Sequence, residues 1–364
     1  MREWLLALAG LFIALCVVPP AAFGQSPTFE ELAAIQSRHE AAIMALPGVV
    51  GIGISKSGGQ MVLQVYVDKD AATPALPATM EGVPVKIQWI ERPVPHTGGG
   101  ACIPCHSGQE ALPTRMGRST SNEFGTACTL GFKACDPSTG TVGFVTNNHC
   151  NPGSDGCPNG PIGVPFFEPG VADNGGQRCG TSDRIATLFP SGNKVDAAFV
   201  RSGAGRTRRN IDDIGNAGRI PATVVPGECI RKSGRTSGTT FGRVDMVNAT
   251  IDVGPYFCLG VIRFVEQITY LADTTCGMCG QPGPGAVPCP ISLGGDSGSA
   301  VVETATRRVV GLNFAGGPSG SSGVANTVQN VLAELGGLTL DLRSCASSAA
   351  EADLEAQDAL EEDE

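Results

Sequence analysis

Gly294-Gly295-Asp296-Ser297-Gly298-Ser299 is the stretch on which the reading of this chain turns. A serine that attacks a carbonyl must project from a sharp turn, with backbone N–H groups aimed at the charge that develops on the oxygen. Neighbours without Cβ permit such a turn. Taken alone, the hexapeptide is equally an ordinary Gly-rich hairpin. Its meaning depends on whether a base and a carboxylate stand elsewhere in the chain at suitable places.

The chain has four histidines: His39, His96, His106 and His149. His39 falls in a predicted helix, and His96 and His106 fall in a Pro/Gly-rich segment. His149 alone lies in the strand-rich part, closing the run Thr141 to Asn147 just before Cys150. An isolated histidine at a strand end is usually an ordinary polar residue, and it gains a role only beside a nucleophile. The carboxylate that would orient it should be buried at a strand end. Asp196 fits, because in Val195-Asp196-Ala197-Ala198-Phe199-Val200 it needs a partner to offset its desolvation. Asp173, Asp183, Asp212, Asp213, Asp245, Asp252 and Asp273 have mostly turn-like or polar neighbours and read as surface residues.

The order His149, Asp196, Ser297 is one of three chain orders in which such triads occur. With Thr146-Asn147-Asn148-His149-Cys150, Asp196-Ala197-Ala198-Phe199-Val200 and Gly295-Asp296-Ser297-Gly298, the chain resembles the chymotrypsin-like (trypsin-fold) serine proteases over roughly residues 122 to 343. More loosely, Lys232 to Gly238 and Gly311 to Gly316 look like stretches of bacterial and plant relatives. The resemblance implies a mainly β fold of two six-stranded barrels with the site between them. It implies Ser297 as nucleophile, His149 as base, Asp196 as its orienting group, and the N–H groups of Gly295 and Ser297 as the oxyanion hole. Protein or peptide is the implied substrate, and no cofactor or metal is called for.

Two departures shape the expectations. In trypsin a cut before Ile-Val-Gly-Gly frees an amino terminus that pairs with the Asp beside the nucleophile. No such sequence precedes Asn122, so Asp296 needs another partner. Where trypsin carries an Asp that selects Arg and Lys, this chain has Ile291. A preference for small or apolar residues is expected instead. Asn147 and Asn148 replace the small residues common before the histidine.

The rest of the chain agrees with a strand-rich body. Of 364 residues, 41% are apolar, only 16% are charged, and 50 Gly and 26 Pro make up about a fifth. That composition excludes coiled coils and helical bundles and favours short strands joined by turns. The net charge is −10, but eight acids lie within residues 351–364, so the remainder carries −2. A nearly neutral body offers no broad basic surface for nucleic acid. Residues 344–364 read as an acidic disordered tail.

Arg2, an apolar run from Trp4 to Val18 and the small residues to Gly24 make residues 1–24 a secretory signal peptide. The expected product is secreted or periplasmic, with no membrane association once the signal is removed. Thr28 and Glu31 form a capping-box signature for a helix from Phe29 to Ala45. Strand-like runs follow at Val49 to Ser55, Met61 to Val67 and Val83 to Ile90, making a small α+β accessory domain over 28–92. It reads either as an interaction module or as a folding-assisting pro-region. A Pro/Gly-rich linker is expected over 93–121, the protease domain over 122–343, and a last helix over Asn326 to Leu335.

The cysteines of an exported chain are expected in disulfides. If Asp136 to Gly140 turn a hairpin, Cys150 faces residues near 126 to 128, and Cys128 is its predicted partner. Such a bridge also matches the one that follows the histidine in the resembled family. Pairing Cys157 with Cys179 is a guess. Cys102-Ile103-Pro104-Cys105-His106 matches a c-type haem attachment pattern, although the segment lacks helices to enclose a haem and a disulfide is the plainer reading. Cys276, Cys279 and Cys289 suggest zinc only weakly. Two readings therefore compete with the protease: a catalytically silent binding protein of the same fold with an occluded cleft, and a haem-bearing redox protein.

Overall fold

The computed structural model describes residues 27–96, 106–125, 127–203, 205–277 and 289–345. The expected signal peptide, Cys102, Cys105, Cys279 and nearly all of the expected acidic tail lie outside the described residues. The chain is mainly β, with two barrel-like sheets and a small N-terminal helix.

One barrel closes on itself. Its strands run in the order Cys229–Gly234, Ala300–Glu303, Val309–Gly316, Ser322–Thr327, Gly260–Ala272 and Gly238–Tyr256, and the last pairs back with the first. Closure pairs the six strands in a ring, while parts of Val309–Gly316 and Gly238–Tyr256 that overhang their neighbours keep an edge for further strands. The other sheet runs through seven strands rather than six: Cys128–Thr129, Ser119–Asn122, Pro165–Glu168, Gln177–Ile185, Ala198–Arg201, Thr141–Thr146 and Phe132–Asp136. Leu130, Phe132, Phe144, Phe166, Phe199 and Val200 fill its core, closed by Val328 and Val331 of the C-terminal helix Val328–Glu334 and by Leu335 at its end. Asn326, expected to open that helix, instead lies in the strand Ser322–Thr327.

The N-terminal helix Phe29–Met44 starts at the predicted capping box, with Thr28 and Glu31 each bonding the other's backbone. The strands after it are Val49–Ser57, Gln60–Asp68, the two-residue Thr79–Met80 and Val83–Ile90. They do not make a sheet of their own. Strand Val49–Ser57 pairs antiparallel with the long strand Gly238–Tyr256, Gly51 facing Ile251. The extended hairpin of the closed barrel thereby carries its sheet into the N-terminal segment. Their apolar side chains also merge: Leu32, Ile52, Ile54, Leu63 and Val65 belong to one core with Ile230, Val244, Tyr270 and Val301.

The segment read as a linker contains strands as well. Val94–Pro95 pairs antiparallel with Val309–Gly316, setting Pro95 against Ala315 and Val94 against Gly316. Glu91 fixes its start, accepting hydrogen bonds from Ser319 N–H at 2.8 Å and Lys69 Nζ at 3.0 Å. Pro93 O accepts from Gly254 N–H at 3.0 Å.

Four disulfides are formed among the described residues. Cys128–Cys150 is as predicted, with an S–S distance of 2.04 Å. The others are Cys135–Cys345, Cys157–Cys258 and Cys229–Cys276. The guess of Cys157 with Cys179 is wrong. Cys179 is a free, buried thiol whose pKa burial pushes up to about 12, while Cys157 reaches the hairpin tip that carries Cys258. Cys276 is spent in a disulfide, which removes a ligand from the zinc reading.

Candidate active site

His149 and Asp196 are brought together by strand register. Thr146 faces Ala198 in the antiparallel pair Thr141–Thr146 and Ala198–Arg201. Just beyond that pair both chains leave the ladder side by side. Asn147 replaces the lost ladder bond with its side chain, donating from Nδ2 to Asp196 O at 2.6 Å. A single 3-10 turn, Asn148–Cys150, then swings His149 back toward Asp196, and the Cys128–Cys150 disulfide fixes its end.

The result is a continuous line of contacts. His149 Nδ1 lies 2.5 Å from Asp196 Oδ2, and His149 Nε2 lies 2.6 Å from Ser297 Oγ. Asp196 and Ser297 are fully buried and His149 nearly so. Asp196 is held from three further sides. Its Oδ1 accepts from His149 N–H at 3.1 Å, its Oδ2 from Tyr256 OH at 2.8 Å, and its own N–H donates to Asn326 Oδ1 at 3.0 Å. Burial, then the charge of Asp196, pushes the Tyr256 hydroxyl well above the usual tyrosine range, so Tyr256 stays a donor. A carboxylate saturated in this way can only accept, which fixes the proton on Nδ1 and leaves Nε2 to take one from Ser297.

Ser297 sits between Gly295 at φ +98° and Gly298 at φ +91°. Both values lie in the left-handed region where a side chain is strained. A Cβ would also run into Thr236 Oγ1 at Gly295 and into Thr129 O at Gly298. The turn is anchored by Asp296, which points away from Ser297 into the closed barrel. Lys232 Nζ donates to its Oδ2 at 2.9 Å, Ser237 Oγ at 2.6 Å and Leu293 N–H at 2.8 Å. Thr236 and Ser237 N–H reach its Oδ1 at 2.9 and 3.0 Å. Burial works to raise the Asp296 pKa, but Lys232 and these donors hold it below the usual carboxylate range. Lys232, itself fully buried, is the partner that the sequence left open for Asp296.

A second histidine reaches the site. His96, assigned to a linker from the sequence, extends the strand Val94–Pro95 into the cleft. His96 O accepts from Gly295 N–H at 2.9 Å and lies 3.1 Å from Ser297 Oγ, and His96 N–H donates to Phe314 O at 3.1 Å. Its ring is buried against Gly316, and its Nε2 has no hydrogen-bond partner among the described residues. Burial lowers its pKa to about 3, so the imidazole there is neutral.

The remaining predicted site residues fall elsewhere. His106 lies away from Ser297, with Nδ1 3.3 Å from Gly117 O and Nε2 3.2 Å from Asp213 Oδ2. A haem ligand needs an open ring nitrogen, and both are engaged here. Of the aspartates read as surface residues, Asp212 is buried, and Asp173 and Asp245 are half-buried and paired. Asp173 pairs with Arg235, Asp212 with Arg118, and Asp245 bonds Tyr66 OH at 2.5 Å. Their partners come from distant parts of the chain, so local polarity misjudged them. Tyr256, Asn326, Lys232 and His96 were missed as site residues; of these only Lys232 stood in a stretch singled out from the sequence.

No family model matches the chain, and no curated protein matches it. Several solved serine proteases overlap part of the chain. A glutamic-acid-specific serine protease that uses a histidine triad in substrate binding superposes with a TM-score of 0.44 at 22% identity, covering 62% of this chain and 99% of that one. Thermobifida fusca protease A gives 0.40 at 19%, over 62% and 96%, and Cellulomonas bogoriensis chymotrypsin gives 0.38 at 22%, over 62% and 97%. At these scores the likeness adds no weight to the reading of the site, which stands on this chain's own side chains.

Proposed function

We propose that the chain is an exported serine endopeptidase that hydrolyses peptide bonds in protein or peptide substrates through an acyl-enzyme. The observation that carries this reading is the buried line Asp196–His149–Ser297, with contacts of 2.5 and 2.6 Å. Ser297 Oγ attacks the scissile carbonyl while His149 Nε2 takes its proton. Asp196 keeps the ring in the required tautomer and stabilises the imidazolium. The Gly295 and Ser297 N–H groups hold the oxyanion, and Gly295 N–H already donates to a carbonyl oxygen. The proton then passes to the leaving amine, and water releases the acyl group by the same steps in reverse order. Four disulfides support an oxidising compartment, and among the described residues no helix is long and apolar enough to cross a membrane.

One observation favours a second reading, that of a silent binding protein: the cleft is filled by the chain's own residues 94–96. A fluorophosphonate probe separates the two. The expected result is one added probe mass on Ser297, absent in Ser297→Ala, once the N-terminal segment has been detached by limited proteolysis. No adduct on folded, detached protein would leave the silent reading standing.

A further inference from the structure

At the other end of the strand Thr141–Thr146 from His149, three arginines surround a cavity of about 480 Å³. Arg178, Arg201 and Arg206 line it with the hydroxyl-bearing Thr141, Thr181 and Ser202, and among the described residues no acid does. All three arginines are exposed. Arg178 donates to Gly180 O at 3.3 Å and Thr181 Oγ1 at 2.5 Å, and Arg206 donates to Arg178 O at 3.1 Å. None of these partners carries a charge. Arg201 has no hydrogen-bond or ion-pair partner at all among the described residues.

Three guanidinium charges around one cavity repel each other unless an anion lies between them. The neighbouring acids do not supply it. Asp136, which faces Thr141 in the ladder, and Asp183, two places beyond Thr181, both pair with Arg184, at 2.9 and 3.1 Å. The cavity suits carboxylates, because each guanidinium presents a planar fork of donors and the hydroxyls add more.

The chain leads its own carboxylates to this place. Cys345, the last described residue, is bonded to Cys135 with their Cα atoms 6.2 Å apart, and its carbonyl oxygen would stand 3.3 Å from a Cβ at Gly140. Cys135 faces Val142, which lines the cavity and whose carbonyl accepts from Ser202 N–H at 3.1 Å. Facing strand residues stand about 5 Å apart, which puts Cys345 within about 17 Å of Ser202. Glu351, six residues on, reaches up to about 20 Å from Cys345 in an extended chain. Residues 351–364 then carry eight acids and no base.

We propose that the acidic run 351–364 docks, within its own molecule, on the cavity formed by Arg178, Arg201 and Arg206, and that its carboxylates supply the anions these guanidiniums lack. Tethering at Cys345 makes the encounter intramolecular, so individually weak ion pairs suffice to hold it. The cavity lies a strand's length, about 17 Å, from His149, so the docked run does not enter the cleft.

The test uses the full chain as wild type, as Arg201→Gln, and as a neutralised variant carrying Glu351→Gln, Asp353→Asn, Glu355→Gln, Asp358→Asn, Glu361→Gln and Glu362→Gln. The neutralised variant alters no described residue, so the arginine cavity is left intact. Each protein is treated with phenylglyoxal, a dicarbonyl that arginines held by carboxylates resist, and the rate at each arginine is read by peptide mass mapping. At about 0.02 M salt, Arg201 and Arg206 of wild type are expected to react about tenfold more slowly than in the neutralised variant, a difference that vanishes by about 0.5 M salt. Arg201→Gln is expected to speed both the reaction at Arg206 and amide hydrogen exchange over residues 351–364. A synthetic peptide of residues 349–364 is expected to restore protection to the neutralised variant. Equal rates at Arg201 in wild type and neutralised variant at low salt would overturn the proposal. Protection that weakens on dilution would overturn it too, by placing the acids of a second molecule on the cavity.

Discussion

Asp196 and Asp296 are both fully buried, each beside a member of the same line of contacts, yet they are built for opposite ends. Asp196, in the seven-stranded half, faces an imidazole and is otherwise ringed by neutral donors from Tyr256 and the backbone. Asp296, in the closed barrel, faces the ammonium of Lys232 and four further donors. A buried carboxylate must be compensated in either case. Where the partner is an ammonium locked among fixed donors the group is scaffold; where it is an imidazole that can exchange a proton with a neighbouring hydroxyl, the group can take part in chemistry.

The comparison can be broken at either end. Asp196→Asn is expected to have the largest effect, lowering the fluorophosphonate labelling rate of the detached protein about 10⁴-fold, because an amide lets the imidazole adopt the wrong tautomer. Its thermal stability should change far less than its reactivity. Lys232→Met reverses the pattern. It strands the Asp296 charge in the barrel and should cost about 3–5 kcal/mol in denaturant unfolding. Lys232→Met with Asp296→Asn should recover part of that loss, which a double-mutant cycle would measure.

Tyr256→Phe sharpens the contrast, since it removes one donor from Asp196 and leaves the imidazole contact. An effect of about 1–2 kcal/mol is expected, read as a slower labelling rate together with a modest loss of stability. The smallest effect concerns the rim. Hydrogen bonds from Ser319, followed by the Lys69 ammonium, lower the Glu91 pKa to about 2. A depressed carboxylate contributes stability that is complete above its unfolded value near 4.5 and is lost as the pH falls through about 2. Glu91→Gln should therefore differ from wild type by about 1 kcal/mol at neutral pH, after allowance for solvent screening, and the difference should shrink as acid is added below pH 4.5.

How far the site was legible follows from what each residue shows locally. Ser297 announces itself through the glycines its turn requires. His149 and Asp196 show as polar residues at the ends of apolar runs, and the pairing of Thr146 with Ala198 makes those ends meet. The Cys128–Cys150 bridge followed from the hairpin turned at Asp136 to Gly140. Tyr256 gave no such sign. It belongs to a 19-residue strand of the other barrel and touches Asp196 across 60 positions of sequence. The composition of the 93–121 segment suggested a linker, because Pro and Gly interrupt any periodicity. Two residues, Val94 and Pro95, are too few to show an alternation, although they suffice to add a strand to an existing edge.

By itself the sequence determined the strand-rich class, the capped N-terminal helix, and the three residues whose types and order suit a nucleophile, a base and an orienting acid. These are local matters of periodicity, turn chemistry and desolvation, written in neighbouring residues. The tertiary structure alone decided that Lys232 neutralises Asp296, that Tyr256 and Asn326 hold Asp196, and that the His96 carbonyl meets Gly295 and Ser297. Each of these joins segments far apart in the chain. Only closure of one barrel, and continuation of its sheet into the N-terminal strands, brings them within hydrogen-bonding distance.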